Sequence, residues 1–79
     1  MSRLFTFGEE EEKKYGELVR KELKGMKISK RIDLADARGG VRYEATRIGI
    51  DTWDLISALE GMCSKGTARE IDDSTYYVM

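Results

Sequence analysis

The segment DTWDLISALEGMC, residues 51–63, decides how this chain of 79 residues can fold. Its apolar residues recur every three or four positions and form a wide stripe, which is the period of an amphipathic helix with a well-buried face. Asp51 directly precedes the stripe, where an aspartate caps the first N–H groups of a helix. Asp54 lies three positions further on, in the first turn. The segment therefore predicts a helix over 52–64, in which Gly61 indicates a close approach of another part of the backbone.

The residues that follow this helix predict two short strands. Gly66 ends the helical pattern, and turn-forming residues at 72–74 separate two β-prone runs at 68–71 and 75–78. We interpret these runs as a closing strand or a terminal hairpin. The Asp-Asp-Ser sequence of the turn is typical of Asx turns, and it lacks the alternating ligands and the glycine of a calcium loop.

The residues before the helix have the period of strands. Apolar and polar residues alternate over 28–34 and again over 41–45, and turn-forming residues at 36–40 lie between them. After residue 45 the apolar parity switches. A β-bulge near 46–47 accounts for the switch, because one extra residue reverses the phase of a strand.

A second helix is predicted near the N-terminus, over residues 8–24. Thr6 and Glu9 have the spacing of a capping box, and Gly25 is placed to end the helix in the left-handed conformation. Before this helix, the apolar and aromatic residues 4–7 predict a short first strand. The apolar stripe of the helix consists of Tyr15, Leu18, Val19, Leu23 and Met26.

The predicted element order is β-α-β-β-α-β, with an extra strand if the C-terminus forms a hairpin. This α+β order is that of a ferredoxin-like split β-α-β sandwich, in which two helices cover one face of an antiparallel sheet. The alternative is a winged-helix-like fold, in which the helix over 52–64 is followed by a wing hairpin over 67–78. That alternative needs a middle helix, whereas 28–50 has the period of strands. Residues 1–79 are predicted to form a single domain, because one core suffices for a chain of this size.

The composition narrows the classes of function. Hydrophobic residues make up 41% of the chain and charged residues 37%, as in globular domains. There is no histidine and only one cysteine, Cys63, so an internal disulfide, a zinc ligand set and a histidine-activated nucleophile are excluded. We expect no enzymatic activity, no cofactor and no small-molecule substrate. We also expect no membrane span, and a lone thiol predicts a cytoplasmic protein.

Basic residues are concentrated in one part of the chain, which suggests an anionic partner. Residues 13–47 carry eleven Lys or Arg against five Asp or Glu, although the net charge of the whole chain is −1. Six cations form a candidate nucleic-acid-binding cluster, since phosphate contacts come from such groups. Its members are Arg20, Lys21, Lys24, Lys27, Lys30 and Arg31. The ordinary alternative is that these side chains complement a helix C-terminus and solvate a surface.

Two features are candidates for binding another protein. Trp53 is either a core anchor or, if its ring is exposed, the best candidate for an interface hot spot. The C-terminal run Tyr76, Tyr77 and Val78 is either a strand paired within the sheet or an edge strand that pairs with a second chain.

The residues over 52–63, continuing into 68–76, resemble small uncharacterised proteins encoded on mobile elements and prophages of Gram-positive gut bacteria. The resemblance implies an accessory protein that acts by binding. Together with the composition, it leads us to expect a protein–protein interaction module, whose partner is another protein or a second copy of the chain. Nucleic-acid binding by the cluster at 20–31 is the alternative.

Overall fold

The computed structural model describes residues 8–33 and 38–79. Within them the chain forms helices α1 (Glu9–Leu23), α2 (Val41–Ile48) and α3 (Thr52–Lys65), and strands β1 (Lys27–Ser29), β2 (Ala68–Asp72) and β3 (Thr75–Val78). In chain order the elements are α1, β1, α2, α3, β2 and β3. The molecule is thus a small α+β fold. The predicted strand at 4–7 lies outside the described residues.

Helices α1 and α3 confirm the predictions over 8–24 and 52–64. Asp51 caps α3 as expected, because its Oδ2 accepts a hydrogen bond of 2.9 Å from the backbone N–H of Trp53. At the start of α1, Gly8 occupies the cap position with a φ of 85° and makes no side-chain cap hydrogen bond. The predicted cap, Thr6, lies outside the described residues. Gly25 is in the left-handed conformation just after α1, as predicted.

The ferredoxin-like order is not the order of this chain, because residues 41–48 form helix α2 and not a strand. Val41, Glu44 and Ala45 are the buried residues of α2, and their spacing of three and four positions is that of one helical face. The change of apolar parity that we attributed to a bulge at 46–47 is this helical period. The β-branched and aromatic residues of the segment, Val41, Tyr43, Thr46 and Ile48, gave it the composition of a strand.

A buried carboxylate ties α2 to the loop before it. Glu44 is buried, and its two oxygens accept hydrogen bonds from the backbone N–H of Gly39 at 2.9 Å and from Nε of Arg47 at 2.7 Å. The hydrogen bond with Glu44 raises the pKa of the Arg47 guanidinium. Because both carboxylate oxygens have a partner, this charge is satisfied within the fold.

The three strands form an antiparallel sheet in the order β1-β3-β2, so β3 is its central strand. The hairpin of β2 and β3 confirms the predicted C-terminal hairpin. Its turn is closed as expected, since Oδ1 of Asp72 accepts hydrogen bonds from the backbone N–H and the hydroxyl of Ser74, at 2.8 and 3.0 Å. Residues of β3 alternate between the two faces, with Tyr76 and Val78 buried and Tyr77 on the opposite side.

The core lies between the helices and the inner face of this sheet. It consists of Val19, Leu23, Ile28, Val41, Ala45, Leu55, Ala58, Leu59, Met62, Ala68, Tyr76 and Val78. All six elements contribute to it. The core therefore joins both helical segments and the C-terminal hairpin into one unit.

Helices α1 and α3 pack in backbone contact at Gly61, as its position inside a helix predicts. A Cβ atom on Gly61 would overlap the carbonyl oxygen of Gly8 and would lie 2.6 Å from Cβ of Glu12. Since real Cβ atoms do not approach so closely, the crossing requires glycine at this position.

We expect Gly61→Ala to destabilise the protein. Alanine gains about 1 kcal/mol in helix propensity, whereas overpacking this close to a backbone costs about 3 kcal/mol, so we expect a net loss of about 2 kcal/mol. Urea unfolding monitored by circular dichroism measures this difference. The matched control is Ser64→Ala on the exposed side of the same helix, which should stay within about 0.5 kcal/mol of wild type. A Gly61→Ala protein as stable as wild type would contradict the close packing.

Candidate functional site

The first turn of α3 presents a large aromatic side chain to solvent. Trp53 is 61% exposed, and among the described residues only Ile71 is a further large exposed hydrophobic residue. Asp51 fixes the backbone at this point through its cap hydrogen bond. The indole therefore lies at the start of a capped helix, outside the core, where it is accessible to a partner.

A shallow cleft of about 360 Å³ lies beside this indole. It is lined by Ile32, Arg42, Asp51, Thr52 and Trp53. Nη1 of Arg42 donates a hydrogen bond of 3.4 Å to the carbonyl of Ile32, so helix α2 and the loop after β1 form one wall. The cleft combines apolar surface with the guanidinium of Arg42 and the carboxylate of Asp51. We call this set of residues the Trp53 cleft.

Further along α3, a polar network joins the helix to the sheet. The hydroxyl of Tyr76 donates a hydrogen bond to Glu60, and Lys30 forms an ion pair with Glu70. The Lys30 ammonium also lies 4.8 Å from the centre of the Tyr76 ring, a cation–π contact. The hydrogen bond with Glu70 raises the pKa of Lys30. Two carboxylates, Glu60 of α3 and Glu70 of β2, therefore act on the Lys30 ammonium.

Cys63 belongs to the packing and not to a reactive site. Its side chain is partly buried against the core. Burial raises the pKa of the thiol, and the carboxylates of Glu60 and Glu70 raise it further. A thiol with a raised pKa is a poor nucleophile, as expected for a small residue on the apolar side of a helix.

The C-terminal residues do not offer a free edge. Strand β3 pairs with β1 on one side and β2 on the other, so the hypothesis that it is an edge strand is wrong. Tyr76 and Val78 are buried in the core, and only Tyr77 lies on the outer face. The structure instead matches the alternative given above, in which this run is a strand paired within the sheet.

The structure does not bring the six predicted cations into one set. Lys30 is paired with Glu70, and Nη2 of Arg31 lies 2.7 Å from Asp33. The remaining four are exposed and lie at the end of α1 and the start of β1. They are Arg20, Lys21, Lys24 and Lys27.

Residues 8–33 and 38–79 contain neither a metal-binding cluster nor a helix that could cross a membrane. No group of three or more Cys, Asp or Glu side chains in these ranges could hold a metal ion. No helix in them is long and apolar enough to cross a membrane. A groove of about 320 Å³ between α1 and α3 contains Lys65 and Glu12, which form an ion pair of 3.2 Å.

Sequence reasoning identified Trp53 and missed its neighbours. The alternation over 28–34 and 41–45 puts Ile32 on the apolar face of one predicted strand and Arg42 on the polar face of the next. Both belong to the Trp53 cleft because residues 41–48 are helical and turn Arg42 towards the loop after β1. The helical spacing of residues 41, 44, 45 and 48 is the signal that could have found this arrangement.

No family model, curated protein or solved structure matches this chain.

We expect alkaline conditions to destabilise the protein through Tyr76. Burial raises the pKa of its hydroxyl above the ordinary 10, and the hydrogen bond to Glu60 adds to the effect. Below pH 10 both the folded and unfolded chains hold this proton. Above it the unfolded chain releases the proton first, so stability falls as pH rises, by up to about 1.4 kcal/mol per pH unit.

The comparison that isolates this residue is Tyr76→Phe, which cannot ionise. Urea unfolding between pH 8 and 11 should show a shallower loss of stability for Tyr76→Phe than for wild type. Tyr77→Phe, on the outer face, is the control and should follow wild type. Equal pH dependence of wild type and Tyr76→Phe would show that burial does not hold the Tyr76 proton.

Proposed function

We propose that this chain is a winged-helix-like interaction module that carries out no catalysis. It self-associates through the side of α3 that carries Trp53 and Glu60, which we call the outward side of α3. The order helix, strand, helix, helix, strand, strand, with the sheet order β1-β3-β2, supports this arrangement. Helices α2 and α3 are joined by residues 49–51, a three-residue connection that begins with a glycine, as in helix-turn-helix pairs. The hairpin of β2 and β3 corresponds to the wing.

The charges on the outward side of α3 favour a protein partner over duplex DNA. In helix-turn-helix proteins the second helix of the pair enters the major groove, where its surroundings must attract phosphates. Here α3 carries Glu60, and the adjacent hairpin carries Glu70, Asp72 and Asp73. Carboxylates at these positions repel a phosphate backbone, and they are compatible with a protein surface that carries cations.

The exposure of Trp53 is the observation on which the proposal rests. A tryptophan that is 61% exposed on a rigid helix leaves much of a large apolar ring in water. Covering such a ring contributes more to an interface than most other contacts, and tryptophan is enriched among hot spots. The cleft next to it offers room for a side chain of the partner.

The chemistry of this surface favours a second copy of the chain as the partner. The Trp53 cleft carries Arg42 at one end of α3, and Glu60 and Glu70 lie about two helical turns away. A two-fold axis that pairs α3 with its copy in antiparallel orientation places Arg42 of each copy towards Glu60 and Glu70 of the other. A symmetric dimer needs such a self-complementary surface.

We further infer an accessory role on a mobile element or prophage, in the cytoplasm. The accessory role is supported by the resemblance of residues 52–63 and 68–76 to small proteins encoded on mobile elements and prophages. The cytoplasmic location is supported by the lone Cys63, because a free thiol suits a reducing compartment.

We expect the protein to be a dimer and Trp53→Ala to weaken the dimer. Loss of a hot-spot tryptophan costs about 2 kcal/mol or more, which raises the dissociation constant about 30-fold. Light scattering after size exclusion over a range of protein concentrations measures this change. Ile71→Ala, at the other large exposed hydrophobic residue, is the matched control and should dimerise like wild type. A wild-type protein that stays monomeric at every concentration would contradict self-association.

A charge exchange tests the antiparallel orientation of the dimer. Arg42→Glu and Glu70→Arg should each weaken the homodimer, because each places like charges opposite one another across the two-fold axis. A mixture of the two variants should form a mixed dimer, since both opposed pairs are then of opposite sign. Native mass spectrometry distinguishes the mixed species by mass. Homodimers unaffected by either substitution would contradict this orientation.

A further inference from the structure

The outer face of the sheet carries an aromatic side chain between two cations. In the strand register Tyr77 of β3 lies opposite Lys27 of β1 on one side and opposite Arg69 of β2 on the other. Residues that are directly opposite in a sheet point to the same face. Since Tyr76 and Val78 point into the core, these three side chains lie on the face turned away from the helices.

Two more cations reach the same end of the sheet from α1. Nε of Arg20 donates a hydrogen bond of 3.2 Å to the carbonyl of Met79, the residue after β3. Lys24 precedes Gly25, whose N–H donates to the carbonyl of Val78 at 2.7 Å. The end of α1 with Arg20 and Lys24 thus adjoins the end of β3, next to the row of Lys27, Tyr77 and Arg69, and we call these residues together the basic sheet face.

The cations of the basic sheet face are available to a ligand. All four are exposed. The ion pairs within residues 8–33 and 38–79 involve other cations, namely Lys30, Arg31, Arg47 and Lys65. Of the carboxylates of the hairpin, Glu70 lies opposite Tyr76 on the side of the helices and pairs with Lys30, and Asp72 and Asp73 lie at the turn, at the opposite end of β3. The face thus concentrates positive charge in a protein whose net charge is −1.

We propose that the basic sheet face binds an unpaired strand of nucleic acid, with a base stacked on Tyr77 and phosphates held by the surrounding cations. Lys27 and Arg69 are separated by two strand spacings, about 10 Å, so they can contact the backbone on both sides of a base that covers the tyrosine ring. Aromatic platforms within positively charged grooves are the general means of binding single strands. A duplex hides its base faces within the stack, so it cannot use Tyr77. This site goes beyond the self-association proposed above and lies on a different surface.

The test is fluorescence anisotropy with labelled oligothymidylate and oligouridylate of about 20 nucleotides, at low and moderate salt, with a duplex of equal length for comparison. We expect both single strands to bind more tightly than the duplex. Four phosphate contacts predict a slope of about −3 for the logarithm of the binding constant against the logarithm of salt concentration. Tighter binding of one single strand would identify whether DNA or RNA is preferred.

Two variants separate charge from stacking. The double variant Lys27→Ala with Arg69→Ala should lose about half of the salt slope, because two of four phosphate contacts are removed. Tyr77→Ser should weaken binding about tenfold and leave the slope unchanged, because it removes stacking only. The double variant Lys13→Ala with Lys14→Ala, two cations earlier on α1, is the matched control and should change the affinity by about twofold or less. Circular dichroism establishes that each variant is folded.

Several results would overturn the proposal. These are no binding at low salt, tighter binding of the duplex, or equal effects of the Lys27/Arg69 and Lys13/Lys14 variants. A test with polyglutamate could also overturn the proposal. If polyglutamate competes with the oligonucleotides and its tight binding is unaffected by Tyr77→Ser, the face selects acidic proteins. None of these measurements depends on Trp53, so failure here is distinguishable from failure of self-association.

Discussion

The contact of α3 with α1 at Gly61 is the constraint on which the rest of the structure depends. Because the backbone of Gly8 occupies the space that a side chain would need, α3 is held against α1 along one side. The hydrogen bond of 3.3 Å from the Tyr15 hydroxyl to Asp54 joins the same two helices nearer the start of α3. With this side covered and Leu55 and Leu59 buried in the core, the side that carries Trp53 is left facing solvent.

The network around Tyr76 connects α3 to the sheet. It also determines which charged groups lie on the outward side of α3 and which lie on the basic sheet face. Tyr76 is buried in the central strand, yet its hydroxyl reaches Glu60 on α3 and its ring contacts Lys30. The network therefore places carboxylates next to the outward side of α3, which disfavours phosphate there. It also engages Lys30 in an ion pair with Glu70, so this cation is not part of the basic sheet face.

The two proposed surfaces differ because the alternation of β3 sends successive side chains in opposite directions. Tyr76 points towards the helices and contacts Glu60 of α3, whereas Tyr77 points outwards between Lys27 and Arg69. A dimer formed through α3 leaves the outer face of each sheet uncovered. Self-association and nucleic-acid binding are therefore compatible within one assembly, and each depends on residues that the other does not use.

Local patterns in the sequence were sufficient for α1, α3 and the C-terminal hairpin, because caps, periods and turns involve residues within a few positions of each other. They also pointed to the glycine at the helix crossing. They were not sufficient for α2, since the residues over 41–45 fit a strand and a helix equally well until their packing against α3 selects the helix.

The central place of β3, the cleft beside Trp53 and the row of Lys27, Tyr77 and Arg69 join residues that are far apart in the chain. The sequence by itself determined the two long helices and the hairpin. It also marked Trp53 as a residue whose role depends on whether its ring is exposed. Only the tertiary structure decided the strand order, the surroundings of that tryptophan and which cations share a face, because strand register and helix packing are properties of the whole core.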